Sequence, residues 1–156
     1  MTFVDRLRPE LICIEPPWRS FATTARGLIE LLADARAVPR DAVDAAVRAV
    51  TDREAVESTA LLDVGSGVPH ARLPGLDHTV VALAVASDGL YEAVPTVPIR
   101  IVALVLSPPT AVDDHLRMLA GIATLLRSPA LRAALVGAPD AATALSVLRA
   151  YGAGAP

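Results

Sequence analysis

Two runs restrict the fold of this sequence more than any others. They are Thr79-Val80-Val81-Ala82-Leu83-Ala84-Val85-Ala86 and the stretch Ile99 to Leu106, interrupted only by Arg100. Both are apolar at consecutive positions. A strand turns successive side chains to opposite faces, so a run apolar at both parities needs cover on both sides. Both runs are far short of the roughly 20 residues that cross a bilayer. They predict central strands of one sheet with helices above and below, an α/β three-layer α-β-α sandwich. Ser87-Asp88-Gly89 closes the first run, and Pro95, Pro98 and Pro108-Pro109 punctuate the second. Short links between some strands imply a mixed sheet, antiparallel as well as parallel.

Around these runs the periodicity is helical. Leu11 to Ile14 reads as a short strand stopped by Pro16-Pro17, with Cys13 as a small strand residue. Trp18 is expected to pack the strand-to-helix corner. Phe21, Ala25, Leu28, Leu32 and Ala35 then recur every three or four residues, behind an N-cap at Ser20. Pro39 breaks that helix. A second one carries Val43, Val47 and Val50 and ends near Arg53-Glu54. Ala60 to Val64 is expected as a strand. In the last third, Thr110 and Asp113 have capping-box spacing ahead of a helix whose inward face is read as Leu116, Leu119, Ala120, Ala123 and Leu126. Ser128-Pro129 opens a further helix that ends at Gly137, and Asp140 caps the last one. Met1 to Pro9 shows little pattern, and Gly152 to Pro156 is expected to fray. The expectation is one domain over 1–156 with an ordered core of about 11–150.

Composition narrows the partners. Apolar residues make up 53% of the chain but aromatics only 3%, so the core must be built from Ala, Val, Leu and Ile. Net charge is −3 with no basic cluster, which argues against nucleic acid. The lone Cys13 permits no intrachain disulfide, and no signal-peptide pattern is found. A cytoplasmic setting without membrane insertion is expected.

Chemistry concentrates at Gly65-Ser66-Gly67-Val68-Pro69-His70-Ala71-Arg72. Glycines permit positive φ and close backbone approach to a ligand. Pro69 fixes its own φ and biases Val68 toward extended backbone, giving His70 a stiff lead-in. A neutral imidazole held that way is a usable nucleophile. Read locally, a short Gly-rich motif is weak evidence, and an ordinary hydrogen-bonding loop histidine is the favoured reading. His78 has no motif role and is expected at the surface.

The order of motifs resembles a known family. Arg53-Glu54, Ser58-Thr59, a Gly-containing turn ending in Pro69-His70-Ala71-Arg72, and then Asp114-His115-Leu116 look like the type-2 enzyme IIA domain of the phosphoenolpyruvate-dependent phosphotransferase system. That class includes the fructose, mannitol and nitrogen-regulatory (PtsN-like) IIA proteins. The resemblance covers nearly all the chain. It departs from the family in having Gly65-Ser66-Gly67 before Val68-Pro69-His70, and in a Thr59-to-His70 spacing one residue longer than usual.

The resemblance implies a role for each site residue. His70 would accept a phosphoryl group from the carrier HPr and pass it to a IIB domain or hold it as a regulatory signal. His115 and Arg53 would stabilise phosphate, with Glu54, Ser58, Thr59, Gly67, Pro69 and Arg72 in support. No metal or nucleotide cofactor is implied. Two other readings remain open at this point. One is a IIA-like binding module without phosphotransfer, suggested by the altered turn. The other is a metal-dependent hydrolase using His70, His115, Asp113 and Asp114, which adjacent helical positions disfavour because they do not converge.

Overall fold

The computed structural model describes residues 1–153. The elements are α1 (Phe3–Arg6), β1 (Ile12–Ile14), α2 (Phe21–Asp34), α3 (Val43–Val56), β2 (Ala60–Leu61), β3 (Ser66–Gly67), β4 (His70–Arg72), β5 (Val80–Val85), β6 (Tyr91–Val94), β7 (Val97–Ile99), β8 (Ile101–Ser107), α4 (Val112–Leu126), α5 (Pro129–Val136) and α6 (Ala141–Ala153). The main sheet runs β1-β5-β8-β3-β2, with β4 also paired to β8. β5 and β8 are antiparallel, while β1 on β5 and β3 and β4 on β8 are parallel. Every residue of β5 and β8 is buried, as two-sided apolar strands require. The α2–α3 hairpin packs on one face, and α1, α4, α5 and α6 pack together on the other. Each Leu, Ile or Val taken fully out of water there contributes roughly 1.5–3 kcal/mol.

Local sequence sets the helix ends. Ser20 Oγ accepts from the Thr23 N–H, Ser128 Oγ from Leu131 N–H with Pro129 at the first helical position, and Asp140 Oδ1 from Thr143 N–H. Trp18 lies on Gly27 of α2, where an added Cβ would fall 2.1 Å from the indole ring. That absence of a side chain is what seats the tryptophan at the strand-to-helix corner.

Several expectations need correction. The N-terminal nine residues are patterned and contribute to the core: Thr2 and Asp5 form a capping box on α1, and Phe3, Val4 and Leu7 are buried. Thr110 and Asp113 do not form one, since α4 begins after Ala111 with no side-chain cap. The buried stripe of α4 is His115, Met118, Ile122 and Leu126, and Leu116 is 58% exposed. Apolar residues surround α4, so two stripes were available, and the buried one is the stripe that brings His115 to the sheet. The strand expected over Ala60 to Val64 ends after Leu61, where a 3₁₀ turn (Leu62–Val64) leads to Gly65 at φ +59°. Ile99 belongs to the β6–β7 hairpin, paired with Tyr91, and Arg100 separates it from β8. α6 runs to Ala153, so Gly152 and Ala153 are helical. The rest of the tail expected to fray, 154–156, lies outside the described residues.

No single helix among the described residues is long and apolar enough to cross a membrane. α4 and α5 reach that length only jointly, across an 86° bend.

Candidate functional site

His70 owes its position to a broken edge strand. Ser66 pairs with Ile101, Gly67 with Val102, His70 with Val105 and Arg72 with Ser107. The offset is the same throughout, so β3 and β4 are one strand interrupted in pairing at Val68-Pro69. Proline is tolerated there because β2 and the preceding Thr59 cover the outer edge only as far as Val68, and the Pro69 carbonyl still accepts from the Val105 N–H at 3.0 Å.

The His70 ring is fixed by its own strand. Nδ1 lies 2.8 Å from the Val68 carbonyl oxygen. A carbonyl only accepts, so Nδ1 carries the proton and Nε2 keeps its lone pair. Burial pushes the His70 pKa down. The Val68 carbonyl works against this, and the nearby Arg53 and Arg72 cations add to the lowering. The ring is therefore neutral at pH 7 and its Nε2 is nucleophilic.

The residues upstream brace that carbonyl. Both Glu54 carboxylate oxygens accept from Thr59, the shortest contacts being 2.7 Å to its N–H and 2.6 Å to its hydroxyl. The Thr59 carbonyl accepts from the Val68 N–H at 3.2 Å. Glu54 thus holds Thr59, Thr59 holds Val68, and Val68 orients His70. Ser58 is exposed and accepts only from the Ala60 N–H, outside the cleft lining.

His115 meets His70 from the other chain segment. The ring centroids are 5.3 Å apart with planes at 62°. His115 is 4% exposed, and its Nδ1 lies 2.7 Å from Ser107 Oγ at the end of β8. Burial first, then the neighbouring His70 and the Arg72 cation, push its pKa down to about 4. Arg53, Arg72, Leu116 and Leu119 complete a cleft of about 330 Å³ over the two rings. Arg53 sits in the last turn of α3, where Nη1 donates to the Glu57 carbonyl at 3.2 Å, and Arg72 Nη1 donates to the Pro109 carbonyl at 3.3 Å. Two guanidiniums flanking the two imidazoles around one shallow opening suit an oxyanion with several acceptor oxygens.

The glycines act differently from the expectation. Gly65 alone of the pair has positive φ. Gly67 is required for space, since a Cβ there would lie 2.3 Å from Tyr91 Oη. The turn's amides do not form an anion cradle. Gly65 N–H donates to Leu62 O, Val68 N–H to Thr59 O, and Ser66 and Gly67 pair with strands on both sides.

The hydrolase reading loses its carboxylates. Asp113 is exposed, and Asp114 is turned to Arg6 and Thr79, away from the cleft. Ser107, Thr79 and Arg6 were missed by sequence reasoning. The available signal was a single hydroxyl at the end of each of the two wholly apolar strands.

The neutral His115 has a measurable consequence. Its native pKa of about 4 lies below the ordinary 6.5. Between those values the unfolded chain binds a proton that the native chain refuses, so stability falls as pH drops from about 6.5 toward 4. Fully developed, the loss is on the order of 3 kcal/mol. Urea unfolding at steps from pH 7.5 to 4.5 should show this slope, and His115→Gln should reduce it to the part that the lowered pKa of His70 contributes. A variant with the wild-type slope would place the titration elsewhere.

The fold and cleft define a three-layer α/β protein with paired histidines at a sheet end. Comparison with known proteins gives the family. The profile of the phosphoenolpyruvate-dependent sugar phosphotransferase system EIIA 2 family matches residues 8–151, and the chain belongs to that family. It is 30% identical over 150 residues to the fructose-specific EIIA component of the phosphotransferase system from Haloferax volcanii, covering 95% of this chain and 96% of that one. It is 31% identical over 149 residues to a nitrogen regulatory protein of Bradyrhizobium diazoefficiens, covering 95% of each. Among solved structures, the nitrogen regulatory protein IIA-Ntr of Neisseria meningitidis superposes with TM-score 0.80 at 20% identity, over 93% of this chain and 97% of that one. The Escherichia coli mannitol enzyme IIA in complex with phosphorylated enzyme IIB gives 0.74 at 16% identity, over 96% and 99%. These two likenesses are of fold.

Proposed function

We propose that His70 is the phosphoryl acceptor of this EIIA protein. Nε2 attacks the phosphorus of a donor phosphohistidine on an HPr-type carrier. The new N–P bond forms as the donor's N–P bond breaks, and the donor ring leaves with the electron pair. The proton stays on Nδ1, donated to the Val68 carbonyl, throughout. Such transfers depend mainly on placement and on stabilising charge on the equatorial oxygens. Arg53 and Arg72 supply cations, and His115 stands beside the group that arrives. No step calls on a metal or nucleotide at the acceptor.

The observation that carries this reading is the division of labour within His70: one nitrogen is committed to Val68, and the other is free beside His115 in a cleft with two arginines. The onward recipient is a IIB domain or a regulated target protein in the cytoplasm. The EIIA unit is read as one domain over residues 1–156, and its nitrogen-regulatory relative favours the signalling use.

Radiolabelled phosphoenolpyruvate, enzyme I and an HPr-type carrier should together label the protein with an acid-labile, alkali-stable adduct. Absence of label with a carrier that labels other EIIA proteins would leave a binding module that works without phosphotransfer.

A further inference from the structure

The pairing of β5 with β8 sets Val80 opposite Leu106, so Thr79 and Ser107 meet just beyond the ladder. Their hydroxyl oxygens are 3.1 Å apart, and the two residues are 1% and 0% exposed. Ser107 Oγ lies 2.7 Å from His115 Nδ1, and Thr79 Oγ1 lies 2.7 Å from Asp114 Oδ2. Arg6 of α1 closes the far end. Its Nη2 is 3.1 Å from both Asp114 oxygens, and its Nη1 donates to the Thr79 carbonyl at 2.7 Å.

Each contact in this chain needs one proton, and the supply fixes their order. The Asp114 carboxylate, held by Arg6, only accepts, so the Thr79 hydroxyl proton lies toward it. Thr79 then has only lone pairs for Ser107, and Ser107 must donate to Thr79. Ser107 has only a lone pair left for His115, so Nδ1 carries the ring proton. The opposite order leaves one buried oxygen pair without a proton, which costs about 1–3 kcal/mol.

We propose that Arg6, Asp114, Thr79 and Ser107 form a positioning relay that locks His115 in the Nδ1–H tautomer and leaves Nε2 as the nitrogen it offers the cleft. A ring locked this way is not a permanent donor. It donates to an anion from Nε2 only after gaining a proton there, so it responds to charge arriving on its neighbour. That consequence rests on His70 carrying phosphate, whereas the tautomer itself does not.

The test is ¹⁵N NMR of the histidine-labelled, unphosphorylated protein at pH 7, where long-range correlations separate the two neutral tautomers. Wild type should show His115 as Nδ1–H. Thr79→Val keeps the side-chain shape but takes away Ser107's acceptor. Ser107 then donates to Nδ1, and His115 should switch to Nε2–H, although Thr79 does not touch the ring. Thr79→Ser should restore the wild-type pattern. If Thr79→Val does not fold, Ser107→Ala should give a mixture of tautomers. An Nε2–H ring in wild type, or an Nδ1–H ring that persists in whichever of these two variants is folded, would overturn the relay. The readout needs no phosphoryl donor, so its failure is separate from failure of the acceptor assignment.

Discussion

Alanine in place of His70 is expected to abolish phosphoryl incorporation while leaving the protein folded. The ring's hydrogen bond is to Val68, two residues away in the same strand, so its removal costs about 1 kcal/mol or less. The loss in chemistry is complete because the other ring in the cleft, although it too offers Nε2, is buried too deeply to meet a docking carrier. His115 is buried to 4% exposure, and its Nδ1 is taken by Ser107. His115→Ala should therefore keep the adduct and slow its formation roughly ten- to a hundredfold, the worth of one hydrogen bond to a charged group. Label retained in His70→Ala and lost in His115→Ala would exchange the roles of the two rings. Rates measured by quenched labelling with the carrier in excess would separate these outcomes.

Gly67→Ala should carry the largest stability cost of any small substitution near the site. The added Cβ would stand 2.3 Å from Tyr91 Oη, well inside contact distance. Tyr91 cannot swing away freely, because its ring meets Phe21 edge-on at 5.3 Å and 89°. Overpacking of this kind costs roughly 1–3 kcal/mol. It would also displace β3, and with it the register that carries His70. Tyr91→Phe removes the offending oxygen, and the next atom stands at 3.4 Å, an ordinary contact. The Tyr91 hydroxyl is buried without a hydrogen-bond partner among the described residues, so its removal alone should be neutral or slightly stabilising. A double-mutant cycle by urea unfolding should show most of the Gly67→Ala loss recovered in the double variant. Additive losses would mean that the Tyr91 oxygen is not the obstacle.

These two residues also show how much the sequence disclosed. β5 and β8 were legible because apolar side chains at both parities have one structural solution. The helix caps at Ser20, Ser128 and Asp140 were legible because capping is a local matter. The Arg53, His70 and His115 set was legible through family resemblance, since nothing in local spacing brings residues so far apart into one cleft. What stayed hidden depends on contacts distant in sequence. Gly67 was read only as permitting positive φ and close backbone approach, because the Tyr91 that crowds it lies in a hairpin whose Pro95 and Pro98 read as punctuation. α4 was read one stripe out because both stripes are apolar and only the Ser107 hydroxyl distinguishes the inner one. α1 was overlooked because a single helical turn is too short to display a period, although Phe3 and Val4 are buried.

The unbroken offset of β3 and β4 along β8 says where a change of length ahead of His70 can be taken up. With no residue gained or lost between Gly67 and His70 relative to β8, an added residue ahead of the histidine is accommodated in the hairpin connection Leu62 to Gly65. Lengthening that connection leaves the acceptor aimed where it was. The same single insertion at Val68-Pro69 would turn the imidazole through the sheet to its opposite side, because strand side chains alternate. The protein thus keeps its tolerance of length changes and its aiming mechanism in adjacent but separate pieces of chain.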